Sequence, residues 1–163
     1  MRHRPDPSPA LLARYPHLVP RTQYPNLSEA ALAAKNLRIE LRRAFPTLRF
    51  SVTSEYFSGG CTVRAVACVF KEDMNAQTDI ASLSREAAAI AANWEQGNFD
   101  AQTDGYDYRS DPDSRAFLDA FGGARFAGAR CVEATPTQES ERRKKLLEKS
   151  LAKPASKKRG LRL

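Results

Sequence analysis

From Leu48 to Phe70 the sequence alternates apolar and polar residues on both sides of Ser58-Gly59-Gly60, and this commits the middle of the chain to a β-hairpin. Glycine accepts the backbone angles of a tight reversal without steric penalty, so the turn falls at Ser58–Gly60. In the first run Leu48, Phe50 and Val52 point one way and Arg49, Ser51 and Thr53 the other. In the second, Val63, Ala65, Ala67 and Val69 share a face opposite Thr62 and Arg64. The hairpin therefore has a wet face bearing Arg49, Ser51, Thr53, Thr62 and Arg64, with Tyr56 and Phe57 at its tip. A lone hairpin is marginal in water, so its apolar face needs helices.

Helices are available on both sides. Ser28 is a good N-cap, followed by Ala30, Ala34, Leu37, Leu41 and Ala44/Phe45 at helical spacing, and Pro46 ends the run. Lys35, Arg38, Arg42 and Arg43 lie off that stripe and read as a solvated face. After a polar loop at Lys71–Asp79, Leu83, Ala87, Ile90 and Trp94 form the core stripe of a second helix from about Ser82 to Glu95. Asn98–Asp111 reads as an acidic, aromatic loop. Asp111-Pro112 opens a short helix to Phe121, and Ala124–Ala134 reads as a third strand interrupted by Gly128. The spacing predicts an α+β fold: a small antiparallel sheet built on a β-hairpin with two main helices packed on it, plus a C-terminal basic helix.

The ends differ from this centre. Six of the ten prolines fall within residues 1–27, which excludes a continuous helix or a central strand there. An extended arm is expected, with a short helix near Ala10–Arg14; Leu11, Leu12, Tyr15, Leu18 and Val19 are apolar enough to pack on the body or on a partner. Thr135-Pro136-Thr137-Gln138 is a capping box that starts a last helix, whose apolar face is only Leu146, Leu147 and Leu151 and which Pro154 ends. The organisation read from these shifts is a Pro-rich basic arm at 1–27, an α+β core domain at 28–134, and a basic helix and tail at 135–163.

Charge follows the same division. Residues 28–140 are mildly acidic, whereas residues 141–163 hold ten basic residues against two acidic. A basic extension gains most from a polyanion, so DNA or RNA is the expected partner, with Arg142, Arg143, Lys144, Lys145, Lys149, Lys157, Lys158 and Arg159 as its contacts. Arg49 and Arg64 on the hairpin are further nucleic-acid candidates. Asp100, Asp104, Tyr106, Asp107 and Tyr108 form a candidate protein-partner surface. These carboxylates match no calcium loop, and the two histidines lie in the arm, so neither a metal site nor a catalytic residue is expected. Cys61, Cys68 and Cys131 are odd in number and form no CxxC pair; Cys61 and Cys68 fall on opposite faces of one strand and cannot pair locally, so the three read as buried small hydrophobes in a reducing cytosol. No phosphate-binding glycine loop or nucleophile elbow is present, so no cofactor is expected. Apolar runs of about six residues at Ala65–Phe70 and Ala87–Ala92 fall short of the roughly 20 that a membrane span needs. Without an apolar N-terminal segment, the expected location is cytoplasmic.

Two segments, AAKNLRIELRRAFPTLRFSVTSEYFSGG at Ala33–Gly60 and NFDAQTDGYDY at Asn98–Tyr108, occur in this order with a strand and a helix between them. Together they make residues 33–108 similar to one of the large polyvalent protein-associated domains of conjugative plasmids, integrative elements and phages. Arg64 stands where that family tends to carry an acidic residue, and the loop after the second strand is longer. The resemblance implies a mobile-element setting, an accessory role near DNA transfer or host-defence evasion, and no established catalytic residue. The expected function is a non-enzymatic, nucleic-acid-associated accessory protein of a mobile genetic element, binding through its basic C-terminal helix and tail. The alternative is a protein-binding inhibitor of a host defence system, restriction or CRISPR, acting through the acidic loop 98–111 or the N-terminal arm.

Overall fold

A computed structural model describes residues 4–152. The first helix, α1 (Pro9–Arg14), precedes the longer α2 (Glu29–Ala44). The hairpin strands β1 (Phe50–Phe57) and β2 (Gly60–Val69) follow, then α3 (Ile80–Ala92). A second hairpin, β3 (Gly97–Asp100) and β4 (Gly105–Tyr108), leads to α4 (Pro112–Phe121), β5 (Phe126–Glu133) and α5 (Pro136–Ala152).

The α+β class holds. The Ser28 hydroxyl accepts the Ala31 amide at 3.2 Å and starts α2; Phe45 closes it by donating its amide to the Leu41 carbonyl, just before Pro46. Ala33, Ala34, Leu37 and Leu41 are buried along α2, against Phe50, Val52, Val63 and Ala65 of the sheet. Strand β1 pairs antiparallel with β2, with Val52 opposite Ala65 and Thr53 opposite Arg64.

The third strand corrects the wholly antiparallel sheet. β5 lies beside β2 and runs parallel to it, so the sheet order is β1-β2-β5 and the sheet is mixed. A parallel neighbour needs a crossover, and α3, the β3–β4 hairpin and α4 supply it. Helix α3 packs on β5 and lies on the same side of the sheet as α2.

Three local readings also change. Asp79 caps α3, accepting the Ala81 and Ser82 amides at 3.0 and 3.3 Å, so this helix runs from Ile80 to Ala92 rather than from about Ser82 to Glu95. Trp94, at 1% exposure, fills the core from the turn beyond the helix end. The stretch 98–111 is largely the β3–β4 hairpin rather than a loop, with Asp104 at φ 51° before Gly105 in its turn. Strands of four residues are too short for alternation to reveal.

The proline-rich segment is folded onto the body. The Ser8 hydroxyl caps α1, and Tyr15 sets its ring edge-on to Phe117 and Phe121 at 5.0 and 5.7 Å. Leu18 is buried, and the next residue is pinned by Asn36, which is fully buried in α2. The Asn36 carbonyl oxygen accepts the Val19 amide at 2.8 Å; its Nδ2 donates to the Val19 and Phe121 carbonyls at 2.9 and 2.8 Å. One side chain thus joins the arm, α2 and the end of α4. Gly122 permits that junction, because at φ 92° an added Cβ would stand 2.6 Å from the Ala33 nitrogen and the Glu29 oxygen.

Helix α5 begins as the capping box requires. The Gln138 side chain accepts the Thr135 amide at 2.9 Å, and the Thr135 hydroxyl accepts the Gln138 amide at 3.2 Å. Its first turns dock on the segment after β2: buried Glu139 accepts the Lys71 amide at 2.8 Å, and Arg142 lies 4.2 Å over the Phe70 ring. From Arg143 onward every described residue of α5 is exposed, including Leu146, Leu147 and Leu151.

Candidate functional site

With both packed helices on one side, the opposite face of the three-stranded sheet is left to solvent. Its side chains follow from the register. One rung reads Ser51, Val66, Arg130; the next Thr53, Arg64, Gly128; the next Glu55, Thr62, Phe126. Neighbouring strands are about 4.8 Å apart, so residues on one rung touch across the face. Arg64 and Arg130 are exposed and together line a shallow cleft of about 390 Å³. A second cleft, about 590 Å³, continues from Arg64 and Gly128 to Phe57 and Phe126, with Glu55 at its border. Thr62, expected to be wet, is buried at 7% exposure beneath this aromatic end.

The aromatic end is firmly built. Phe57 stacks on Phe126 at 6.2 Å and 23° between ring planes, and Phe99 and Tyr106 set their rings against Phe126 from β3 and β4. The Arg125 guanidinium lies 4.7 Å over the Tyr106 ring and donates to the Gly59 carbonyl, tying the β1–β2 turn to the second hairpin. The Tyr106 hydroxyl donates to the Arg125 carbonyl at 2.6 Å. Burial, aided by the nearby Glu95 carboxylate, pushes that hydroxyl's pKa up to about 12. Phe57 nevertheless keeps 46% of its surface open.

The predicted site residues are not all brought together. Arg64 sits at the centre of the open face, whereas Arg49 lies beyond the start of β1 in a separate cleft with Arg38 and Arg42. On α5, Arg142 pairs with Asp73 at 2.8 Å and Arg143 with Glu72 at 3.4 Å, so these two cations are partly satisfied within the chain. The Asp73 partner holds the Arg142 guanidinium above its usual range. Lys144, Lys145 and Lys149 are exposed with no such partner among the described residues. Lys157, Lys158 and Arg159 lie outside the described residues.

The acidic set divides by role. Asp100 accepts the Gln102 amide at 2.9 Å and the Thr103 hydroxyl at 3.0 Å, and these bonds hold its carboxyl below the usual range. Tyr106 is half-buried, with its hydroxyl bonded to the Arg125 carbonyl. Asp104, Asp107 and Tyr108 remain exposed on the hairpin, Tyr108 by 65%, as does Phe99 of β3 by 44%. Among the described residues, no three His, Cys, Asp or Glu side chains converge as a metal site would require. The three cysteines are free; Cys61 and Cys131 are buried, burial raises the Cys131 thiol pKa, and Cys68, on the open side of β2, is only half-buried rather than buried as expected.

The family model for large polyvalent protein associated domain 29 matches residues 28–134, more than half of the 163-residue chain. The chain belongs to that family. Membership associates it with mobile elements, and the matched residues contain the whole mixed sheet, both hairpins and the open face. No curated protein and no solved structure matches the chain. Among the described residues, no helix is long and apolar enough to cross a membrane.

Sequence reasoning missed Arg130, Arg125 and Phe126. Phe126, Gly128 and Arg130 alternate along one strand, so the signal for a shared face was present. What was lacking was the knowledge that β5 lies beside β2 and in which register.

Proposed function

We propose that the protein is a non-enzymatic accessory protein that binds nucleic acid, with single strands preferred, on the open face of the mixed sheet and along α5. One observation carries this reading: Arg64 and Arg130 stand on an uncovered face with no carboxylate within ion-pair distance among the described residues, and Arg64 also lines the cleft of the stacked pair Phe57 and Phe126, which Glu55 borders. Cations that follow a phosphate backbone, interleaved with aromatic rings on which bases stack, suit a single strand. Lys144, Lys145 and Lys149 on exposed α5 add unspecific attraction, and the basic residues of 153–163 extend it.

Fluorescence anisotropy with a labelled single-stranded oligonucleotide tests this reading. Each neutralised phosphate contributes about 0.7 to the slope of log affinity against log salt, so Arg64→Gln/Arg130→Gln should flatten it by about 1.4. Lys144→Gln/Lys145→Gln/Lys149→Gln should flatten it further. Phe57→Ala should cost about tenfold in affinity. Variants that bind like the unaltered chain at every salt concentration would refute the reading.

A second reading has its own support. Phe99 and Tyr108 are exposed on one face of the β3–β4 hairpin, Asp107 on the other and Asp104 in its turn, and a hairpin that presents rings and carboxylates without cations repels nucleic acid and suits a basic protein partner. A host defence protein is the partner this reading proposes. A stoichiometric complex from host lysate that survives nuclease and is lost in Tyr108→Ala supports it; recovery of nucleic acid alone counts against it.

A further inference from the structure

We propose that the cleft between the last turns of α2 and the start of β1 is a phosphate-binding pocket formed by Arg38, Arg42 and Arg49. It encloses about 310 Å³, with the three guanidinium side chains and Thr47 on its lining and Pro46 and Phe50 as apolar wall. The sequence pattern alone reads Arg38 and Arg42 as a solvated helix face and Arg49 as part of the hairpin's wet side. The fold brings them together because Pro46 reverses the chain and lays β1 along α2.

Arg38 and Arg42 are one turn apart on α2, and like charges at that spacing repel. Among the described residues no carboxylate lies within ion-pair distance of the three arginines to relieve the repulsion. The nearby acid on α2, Glu40, is already bonded to His17 at 2.9 Å. Arg38 is also held in place. Its Nη2 donates to the outward-facing Val52 carbonyl of the β1 edge at 3.0 Å, which fixes the guanidinium plane and leaves its other N–H groups free. Arg42 and Arg49 are exposed and able to close on a bound group.

Three arginines and a threonine lining one cleft, against an apolar wall, suit a tetrahedral dianion. The ligand class is a phosphate group, whether of a free phosphorylated compound or of a polynucleotide backbone. Only the second source rests on the function proposed above.

Inorganic pyrophosphate titrated into the full chain, followed by the arginine Nε–H resonances and by calorimetry, is the probe. Saturable binding is expected at about millimolar concentrations. Arg42→Gln or Arg49→Gln should each weaken it by about tenfold. Arg43→Gln should leave it unchanged, since Arg43 lies on α2 outside the lining. Thermal melts confirm that these surface variants fold. Equal weakening by Arg43→Gln, or no saturable shift at about 10 mM pyrophosphate, overturns the pocket. In the oligonucleotide arm, loss of affinity in Arg42→Gln and Arg49→Gln assigns a backbone phosphate to the pocket. Unchanged oligonucleotide affinity with weakened pyrophosphate binding assigns a free phosphorylated compound. If pyrophosphate binds as expected while no oligonucleotide binds at all, the pocket stands and the sheet-face reading fails.

Discussion

Replacing Asn36 by alanine should unfasten the N-terminal segment from the body. The side chain is fully buried and makes three hydrogen bonds, all to main-chain groups of distant residues. Val19 is only half-buried, so its amide and carbonyl can regain water, and each lost bond there costs about 1 kcal/mol. The Phe121 carbonyl bond is buried, and an acceptor stranded there costs about 1–3 kcal/mol. The total is about 3–5 kcal/mol, a large part of the roughly 5–15 kcal/mol that holds a domain folded. With a urea dependence of about 2 kcal/mol per molar, the unfolding midpoint should fall by about 2 M. The melting temperature should fall by about 8–16 °C. Trypsin should then cut faster at Arg14 and Arg21. Asn36→Asp should be at least as damaging, because a second carboxylate oxygen would face two carbonyls. A loss below about 1 kcal/mol with unchanged trypsin resistance would show that the arm is held by apolar contacts alone and that this accounting is wrong.

Gly122→Ala should destabilise by about 2 kcal/mol or more in chemical denaturation, because the new methyl group meets the α2 backbone at a positive φ. Gly128→Ala should be neutral or stabilise by up to about 1 kcal/mol, since nothing lies within 4 Å of its Cβ position. Tyr106 holds its proton in the folded state to about pH 12 against an ordinary 10.0, so stability should be complete below pH 10 and decline as pH rises from there towards 12. Absorbance titration should show one tyrosine ionising late, and Tyr106→Phe should remove that part of the alkaline decline. Asp79, Asp100 and Asp111 have carboxyl groups held below their ordinary 3.8, chiefly by hydrogen bonds to Ser82, Gln102 and Ser114 respectively. Their contribution is present above that value and lost as pH falls through the depressed range; Asp111→Asn, which still caps α4, should flatten the acid limb of a stability–pH curve.

Elements defined by local chemistry could be read directly. Ser28 and Pro46 bound α2, Ser58–Gly60 turns the hairpin, Asp111-Pro112 opens α4, and the Thr135–Gln138 box starts α5. Each of these signals acts within a few residues of the backbone group it satisfies. The β3–β4 hairpin escaped because its strands span four residues each. The early start of α3 escaped because Asp79 capped it from within a polar stretch.

The candidate sites divide in the same way. The sequence by itself determined which residues are cationic, that β1 and β2 alternate and where α2, α4 and α5 begin, since these depend on composition and on near neighbours. It also placed Arg64 on the polar side of β2. Only the tertiary structure decided that β5 runs parallel beside β2, setting Arg130 near Arg64 and Phe126 against Phe57. It alone placed Arg49 with Arg38 and Arg42 and turned Arg142 and Arg143 towards Asp73 and Glu72. Those pairings join residues far apart in the chain, and the free energy that selects among them comes from burying one shared core, which no local window of sequence contains.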